Sequence, residues 1–408
     1  MTEAVPPVLQ PATEAELAEL VRWAAAEALP LELVAGGSKP GFGRPVQSAH
    51  RLDLGKLAGI RDYQPAELVL TAGAATPMAE IDAALAAEHQ MLAFEPGDWA
   101  PLYGRPAGSG TLGGALACNL AGPRRIKAGA ARDHFLGFRA VSGRGEAFKA
   151  GGKVVKYVTG YDLCKLMAGS FGTLAALTEV TVKVLPAPEK TRTLLLFGLA
   201  DAAALAALTA ALGGPYEIAG AAHLPAGLAD GLGVEHLERG QATTALRLEG
   251  PAPSVDARLI ALRQALAGRV AAIGELHSRN SASFWQALRD VRPLATQGPA
   301  ALLWRLSVPP ASGAAVAAAV DLPGCAYFFD WGGGLIWLAL PPAADAHAPR
   351  VRAAIAGGGH ATLVRAPDAA RAAVPVFQPQ PDALAALSRR VKEAFDPRGI
   401  LNPGRMGF

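Results

Sequence analysis

The sequence has little cysteine. Its 408 residues include three cysteines, Cys118, Cys164 and Cys325, which lie far apart along the chain. This number excludes a disulfide framework, a zinc site of four cysteines and an iron–sulfur cluster held by four cysteines of the chain itself. Such usage is typical of a reducing compartment, and we therefore expect a cytoplasmic protein.

An excess of charge of one sign is also missing. The 38 basic and 35 acidic residues leave a net charge of +3, which is too small to create the field that drives nucleic-acid binding. The eight histidines form no HxH or HExxH pair, so no metal site is predicted. Residues Met1–Gln10 lack the regions of a signal peptide. Asp201 interrupts the apolar stretch Thr193–Gly214, and clustered Gly and Pro interrupt Leu322–Ala344, so no membrane span is expected.

Glycine and proline, by contrast, are abundant. The 46 glycines, 32 prolines and 51% hydrophobic residues are typical of a loop-rich chain of mixed helix and strand, long enough for two or three domains. Thr13 and Glu16 form the pattern of a capped helix, and a short strand at Leu31–Val34 precedes a glycine loop. A further strand is predicted at Lys153–Val158, and Pro186–Pro188 has the composition of a linker.

Three glycine-rich segments lie in the first half of the chain, at Gly36–Gly43, Gly108–Gly114 and Gly169–Gly172. Without a Cβ, their backbone N–H groups can converge on an anion, so together they favour a diphosphate cradle, although each alone is equally compatible with an ordinary turn. The second segment also matches GxGxxG, but the preceding Gly97–Ala107 contains Pro101 and Pro106 and cannot be the buried strand of a Rossmann unit.

Six segments, in this order, resemble the vanillyl-alcohol-oxidase (PCMH) type of FAD-binding flavoprotein: Gly36–Lys39, Gly110–Ala115, Gly122–Arg125, Gly160–Leu163, Gly169–Leu174, and Phe395–Pro397 with Asn402–Arg405. Within that type, the Gly-Pro-Arg-Arg, Gly-Tyr-Asp-Leu and Gly358–Leu363 segments most resemble the FAD-binding E subunits of bacterial glycolate oxidases (glycolate dehydrogenases). The resemblance covers essentially the whole chain.

The resemblance implies an α+β fold with three parts. Residues 1–190 would form a PCMH-type FAD-binding domain of two α+β subdomains, and residues 191–375 an α+β cap domain built on an antiparallel sheet. From the alternating strands and helices, we expect the helices of this second domain to lie on one face of its sheet. Residues 376–408 would return to the FAD domain.

The resemblance also implies which residues bind FAD. The expected set is Gly36, Gly37, Ser38, Lys39, Gly110, Thr111, Leu112, Gly113, Gly114, Arg124, Tyr161, Asp162, Gly169, Gly172, Thr173, Leu174, Glu179, Val180 and Asn402. Two of these have a second interpretation, because Asp162 can simply cap a helix and Arg124 can solvate a loop or contact a partner. Relatives that hold flavin covalently use a histidine in the first glycine loop, and its absence here predicts non-covalent FAD.

Candidates for catalysis lie in the second domain. Oxidation of a 2-hydroxy acid needs a base for the hydroxyl proton and a cation for the carboxylate. His360 is the candidate base, and Arg305 or Arg365 the candidate cation. The structural alternatives are a solvated histidine at the start of a strand and an arginine at the edge of a sheet. Trp331 would lie either over the flavin or in the core.

One motif of the catalytic relatives is absent. The D-2-hydroxyacid dehydrogenases of this fold carry His-x-Gly-Asp-Gly-Asn, which does not occur here. The resemblance therefore implies a companion flavin subunit that works with a catalytic FAD-linked subunit and an iron–sulfur subunit in oxidising glycolate to glyoxylate, in the cytoplasm or at the inner face of the membrane through these partners. The alternatives are a stand-alone FAD-dependent oxidase or dehydrogenase of a hydroxy acid or alcohol, and a non-catalytic flavin-binding scaffold.

Overall fold

The computed structural model describes residues 6–153 and 160–407, and the chain divides into two compact units. Unit 1 takes Met1–Leu120, Ala130–Ala187 and Pro379–Phe408, and unit 2 takes Ala121–Gly129 and Pro188–Gln378. The junctions near residues 187 and 378 fall within a few residues of the expected ones. The segment Ala121–Gly129 differs, because it was expected in the first domain and belongs to unit 2.

Among its described residues, unit 1 contains two sheets and a two-stranded ribbon. Its strands are β1 (Val8–Leu9), β2 (Leu31–Val34), β3 (His50–Asp53), β4 (Ile60–Gln64), β5 (Val69–Gly73), β6 (Gln90–Met91), β7 (Phe135–Ser142), β8 (Ala147–Gly151), β9 (Ala175–Lys183) and β10 (Leu185–Pro186). Its α-helices are Glu14–Ala26, Met78–Ala87, Leu112–Ala117, Ala131–His134, Leu163–Met167 and Asp382–Phe395.

The smaller sheet of unit 1 is parallel, with the order β1-β3-β2. The helix Glu14–Ala26 packs on it, because its apolar side chains recur on one face and Leu17 and Val21 are fully buried with Leu31 of β2. As predicted, Thr13 caps this helix, and its Oγ1 accepts a hydrogen bond from Glu16 N at 3.1 Å.

The larger sheet of unit 1 is antiparallel, with the order β4-β5-β9-β7-β8. Alternate residues of β9, such as Val180 and Val182, are fully buried against the helices that cover the sheet. Gln90 and Met91 pair with β10, and the apolar residues 92–94 that follow fill the core without a strand partner among the described residues. The strand predicted at Lys153–Val158 lies outside the described residues from Val154 onward.

Unit 2 is built on an antiparallel sheet of eight strands. They are β11 (Lys190–Phe197), β12 (Ile218–Leu224), β13 (Thr243–Gly250), β14 (Ile273–His277), β15 (Leu302–Ser307), β16 (Ala326–Asp330), β17 (Leu335–Leu340) and β18 (His360–Arg365), in the order β14-β11-β13-β12-β16-β17-β15-β18. The α-helices are Arg125–Ala128, Asp201–Leu212, Ala252–Leu266, Ser278–Arg289, Gly313–Val320, Ala348–Ala354 and Asp368–Ala373.

Helices lie on both faces of this sheet. Leu194 of β11 shares a core with the helices Asp201–Leu212 and Ala252–Leu266. Thr193, the next residue back and therefore on the opposite face, contacts Ser281 Oγ at 2.7 Å and accepts a hydrogen bond from Trp285 Nε1 at 2.8 Å. The helix Ser278–Arg289 thus covers the second face, which corrects the expectation that the helices lie on one face. Within the described ranges, no helix has both the length and the hydropathy to cross a bilayer.

Candidate functional site

A pocket of about 550 Å³ lies in unit 1, a volume typical of small-molecule sites. It is formed by the loop after β2, the turn before the helix Leu112–Ala117, the turn before β9 and the C-terminal tail. Nine of the predicted FAD-binding residues line it: Gly36, Gly37, Ser38, Lys39, Thr111, Gly113, Gly114, Gly172 and Asn402.

The first glycine loop passes very close to the second. A Cβ built on Gly36 would lie 1.8 Å from Ser109 O, so only glycine fits at this crossing, and Gly37 has a positive φ of 62°. In the part of the chain that the structure describes, the backbone amides of Gly36, Gly37 and Ser38 have no acceptor. Such a loop, bare of side chains and with free amides, fits a diphosphate.

Basic side chains surround this loop. Lys39, Arg51, Arg105 and Arg405 line the pocket together with two acids, Glu32 and Asp53. Glu32 accepts from Arg51 at 3.2 Å and from Arg405 at 3.3 Å. Lys39 Nζ donates to Ser38 Oγ at 2.8 Å. The lining therefore carries more positive than negative charge, which suits a cofactor with two phosphates.

Asn402 joins three parts of the pocket wall. Its Oδ1 accepts from Leu33 N at 2.8 Å, its Nδ2 donates to Phe171 O at 2.8 Å, and its own backbone N donates to Leu31 O at 2.9 Å. Because its amide is committed to these protein groups, Asn402 positions β2, the turn before β9 and the tail around the pocket.

Cys118 also lines the pocket. Burial raises the pKa of its thiol, while the positive charges of Lys39 and Arg405 act in the opposite direction. The net effect keeps the thiol protonated, so its chemistry here is that of a small apolar side chain.

The second glycine segment, Gly108–Gly114, contributes fewer free backbone amides to the pocket than expected. Three of its amides are already used inside the protein, since Leu112 N donates to Thr76 O, Gly113 N to Ala74 O and Gly114 N to Thr111 Oγ1. A Cβ on Gly113 would come within 2.6 Å of Ala74 O, so this glycine is required by packing against Ala74. These three amides have acceptors inside the protein, and their contact with the pyrophosphate stays a prediction.

Other predicted cofactor residues are not part of the lining, among the residues that the structure describes. They are Gly110, Leu112, Gly169, Thr173, Leu174, Glu179 and Val180. Leu112 and Val180 are fully buried in the core, and Glu179 and Val180 have strand partners on both sides in β5 and β7. Contacts of these residues with a cofactor stay predictions.

The Gly-Pro-Arg-Arg and Gly-Tyr-Asp-Leu segments also lie elsewhere. Arg124 belongs to unit 2 and forms a bidentate ion pair with Glu249, with both N–O distances at 2.8 Å. Arg124 is thus committed to Glu249, and its binding of FAD stays a prediction. Tyr161 is 90% exposed, and Asp162 caps the helix Leu163–Met167 by accepting from Lys165 N at 3.1 Å. The cap interpretation of Asp162 is thus confirmed.

The candidate catalytic residues lie in unit 2. His360 begins β18 and is exposed, and Arg305 is a half-buried residue of the neighbouring β15. Arg305 pairs with Thr362 and Ser307 pairs with His360, so the two candidates share one face of the sheet, at diagonal positions. Arg365, the alternative cation, donates to Ala301 O at 3.1 Å and Gly298 O at 2.8 Å, which is a structural role.

The sequence reasoning missed three basic residues of the pocket. The sequence does indicate Arg405, because this residue ends the Asn402–Arg405 segment that resembles the flavoprotein family. No sequence pattern indicates Arg51 or Arg105. Neither lies in a glycine segment, and only the fold brings them to the loop at Gly36.

Comparison with known proteins shows FAD-linked relatives. Residues 6–151 match the family described as FAD binding domain, and residues 378–406 match FAD linked oxidases, C-terminal domain. Glycolate oxidase subunit GlcE of Escherichia coli (strain K12) is 37% identical over 390 residues, 96% of each chain. Glycolate oxidase subunit GlcD of Bacillus subtilis (strain 168) is 45% identical over 95 residues, which are 23% of this chain and 20% of GlcD.

The fold also has relatives among solved structures. p-Cresol methylhydroxylase with substrate bound has a TM-score of 0.73 at 14% identity, covering 98% of this chain and 88% of that one. The 4-ethylphenol oxidase from Gulosibacter chungangensis has a TM-score of 0.71 at 16% identity, over 98% and 88% of the two chains. The predicted α+β, PCMH-type fold and the FAD cofactor are both confirmed. The chain belongs to the family of FAD-linked oxidoreductases that includes glycolate oxidase subunit GlcE.

Proposed function

We propose that this chain is the FAD-binding companion subunit of a glycolate oxidase (dehydrogenase) complex, which oxidises a 2-hydroxy acid, glycolate, to glyoxylate. The observation that carries the proposal is the likeness to GlcE, which extends over 96% of both chains and so includes unit 2 as well as the FAD-binding unit. The shorter matches, such as that to GlcD, cover less than half of this chain.

The pocket of unit 1 would hold the cofactor. The amides of Gly36, Gly37 and Ser38 would bind the diphosphate, and the charges of Lys39 and Arg405 would neutralise it. Bound flavin supplies an acceptor for the hydride that leaves the CH–OH carbon of a substrate. The chain's own part is to bind the cofactor in this pocket.

The companion role is supported by a missing motif. Residues Gly357–Ala361 read Gly-Gly-Gly-His-Ala, without the acidic and amide side chains of the His-x-Gly-Asp-Gly-Asn motif of catalytic relatives. Under this proposal, the partners are a catalytic FAD-linked subunit and an iron–sulfur subunit, and the complex lies in the cytoplasm or peripherally at the inner face of the membrane. In the alternative, a stand-alone enzyme, His360 would be the base and Arg305 the carboxylate ligand.

An anaerobic titration tests the proposal. The purified chain with its FAD is mixed with glycolate or D-lactate, with and without the partner subunits, and its flavin absorbance is followed after subtraction of the signal of the partner subunits alone. The companion subunit should bleach only when the partners are present. Bleaching of the isolated chain would establish the stand-alone enzyme, and flavin that stays oxidised in both mixtures would establish a scaffold and overturn the proposal.

Attachment of the flavin is tested separately. The first glycine loop has Ser38 and Lys39 but no histidine, so we propose that FAD is held without a covalent bond. After precipitation with trichloroacetic acid, the yellow colour should remain in the supernatant. Colour in the washed protein pellet would contradict non-covalent binding.

A further inference from the structure

Trp331 lies in the tight turn between β16 and β17 of unit 2, and two hydrogen bonds fix it. Its φ is +53°, a conformation that is unfavourable for a bulky side chain. Asp330 Oδ1 accepts from the backbone N of Trp331 at 2.7 Å, and the indole Nε1 donates to Gly122 O at 3.0 Å. The buried indole ring is therefore held in one orientation.

Two guanidinium groups lie beside this ring. Cζ of Arg125 is 4.5 Å from the ring centroid, and Cζ of Arg305 is 5.0 Å from it. Both distances are within the range of cation–π attraction. This attraction holds two positive charges near one aromatic ring, although they repel each other.

The segment that carries Arg125 is firmly attached to unit 2. Arg124 makes its bidentate pair with Glu249, Lys127 pairs with Glu217, and Gly122 accepts the indole hydrogen bond. Arg125 is thus placed by contacts on both sides of it in the sequence, and its position does not depend on its own interactions alone.

Arg305 differs from other arginines of unit 2. Arg365 donates to two backbone carbonyls, Arg258 donates to Tyr216 O and Glu249 O, and Arg371 pairs with Asp368. Arg305 has no hydrogen-bond acceptor within residues 6–153 and 160–407, although it is half buried. Because the guanidinium has no acceptor among the described residues, its N–H groups are available to a ligand that accepts hydrogen bonds.

The groups around Arg305 also shift its pKa. Burial and repulsion from Arg125 together lower the pKa of Arg305 to about 10, against the opposing effect of Asp330. Arg305 thus feels both a neighbouring cation, Arg125, and a neighbouring carboxylate, Asp330.

We propose that Arg305 and Arg125, positioned by Trp331, form a binding site for a small carboxylate. A carboxylate brings one negative charge and two oxygens in a plane, which match the fork of a guanidinium. That the ligand is a 2-hydroxy acid or the corresponding 2-oxo acid rests on the proposed function. Binding of a carboxylate to unit 2 does not depend on the proposed function.

Equilibrium dialysis of the FAD-loaded protein against radiolabelled glycolate, at low salt, tests the site directly. Arg305→Gln and Arg125→Gln should each weaken binding at least tenfold. The matched control is Arg239→Gln, which removes the same charge from an exposed position of unit 2 and should change the affinity less than twofold. Unlabelled glycolamide, which has the same shape without the charge, should not compete.

Three results would overturn the proposal. They are the absence of glycolate binding by the native protein, unchanged affinity in both variants, and competition by inorganic phosphate at lower concentrations than by unlabelled glycolate. Should Arg305→Gln fail to fold, judged by its thermal unfolding and flavin content, Arg305→Lys replaces it. This variant keeps the charge but loses the planar fork, and it should still weaken binding.

The two proposals fail in different experiments. If glycolate binds at Arg305 but the flavin never bleaches, even with the partner subunits, the proposed function is wrong and the carboxylate site stands. If the flavin bleaches in the complex while Arg305→Gln binds glycolate normally, the site is wrong and the function stands.

Discussion

Gly36 and Ser109 lie in direct contact across the two glycine loops of unit 1. A Cβ on Gly36 would meet Ser109 O at 1.8 Å and Thr111 Cγ2 at 3.1 Å, so the contact exists only because residue 36 has no side chain. The two loops belong to different parts of the sequence, and this crossing is what brings them to a single pocket.

The variant Gly36→Ala should therefore separate the loops. We expect it to lower the free energy of unfolding by about 1–3 kcal/mol, as overpacking does, and to weaken FAD binding because the pocket wall shifts. The measurements are urea unfolding and titration of the apoprotein with FAD. Gly152→Ala is the control, because a Cβ at Gly152 meets nothing within 4 Å. Equal FAD affinity in the two variants would contradict the role of the crossing.

Gly114 offers a test of the charge of the pocket. A Cβ on Gly114 would lie 3.0 Å from Thr111 Oγ1 and 3.8 Å from Lys39 Nζ, so both Gly114→Asn and Gly114→Asp introduce similar bulk beside Lys39. The carboxylate alone would also neutralise Lys39 and repel a diphosphate. We expect Gly114→Asp to bind FAD at least about tenfold more weakly than Gly114→Asn, a difference of about 1.4 kcal/mol. Quenching of flavin fluorescence measures both affinities, and equal values would remove Lys39 from the diphosphate site.

Features that depend on neighbouring residues could be predicted from the sequence. The cap at Thr13, the strand Leu31–Val34 and the glycine loop that follows all result from local pattern and appear as predicted. The resemblance to a flavoprotein family rests on such local motifs, and it correctly predicted the FAD cofactor.

Features that depend on distant contacts could not be predicted. The segment around Gly122 belongs to unit 2 because Trp331, 209 residues away, donates to its backbone, and because Arg124 pairs with Glu249, 125 residues away. No local pattern contains these pairs. For the same reason, the place of Arg405 in the pocket depends on how the tail binds to β2.

The tail itself depends on a buried ion pair. Lys392 Nζ donates to Asp396 Oδ2, Thr173 O and Leu401 O, and Asp396 accepts from Ile400 N and Leu401 N. Burial lowers the pKa of Lys392, and the hydrogen bond to Asp396 opposes that shift. The pair thus anchors the chain just before Asn402 and Arg405.

The variant Lys392→Met would leave Asp396 buried without its cation. Removal of one partner of a buried pair costs about 3–5 kcal/mol, and we expect a loss of unfolding free energy of that size together with weaker FAD binding. Lys56→Met, which removes an exposed lysine of unit 1, is the control and should change stability by less than about 0.5 kcal/mol. A Lys392→Met protein with native stability and native FAD affinity would show that the tail is held by other contacts.

The last prediction concerns pH and unit 2. Asp201, the first residue of its helix, contacts His223 Nε2 at 3.1 Å and accepts from Tyr327 Oη at 2.7 Å. Although burial acts to raise the pKa of Asp201, the hydrogen bonds from His223 and Tyr327 outweigh it and hold the pKa below its ordinary value. A carboxyl group whose pKa is lower in the folded than in the unfolded state stabilises the fold above its ordinary pKa.

This stabilisation should disappear as the pH falls through the lowered pKa of the folded state. At pH 7, Asp201→Asn should therefore lower the unfolding free energy by about 1–2 kcal/mol, and the difference from the native protein should shrink steadily below about pH 4. Urea unfolding at a series of pH values measures it. Asp256→Asn, which removes a carboxylate paired with Lys190, is the control, because a surface pair contributes about 0–1 kcal/mol. A difference for Asp201→Asn that stays constant from pH 7 to pH 3 would mean that the carboxylate's charge contributes nothing to the stability of unit 2.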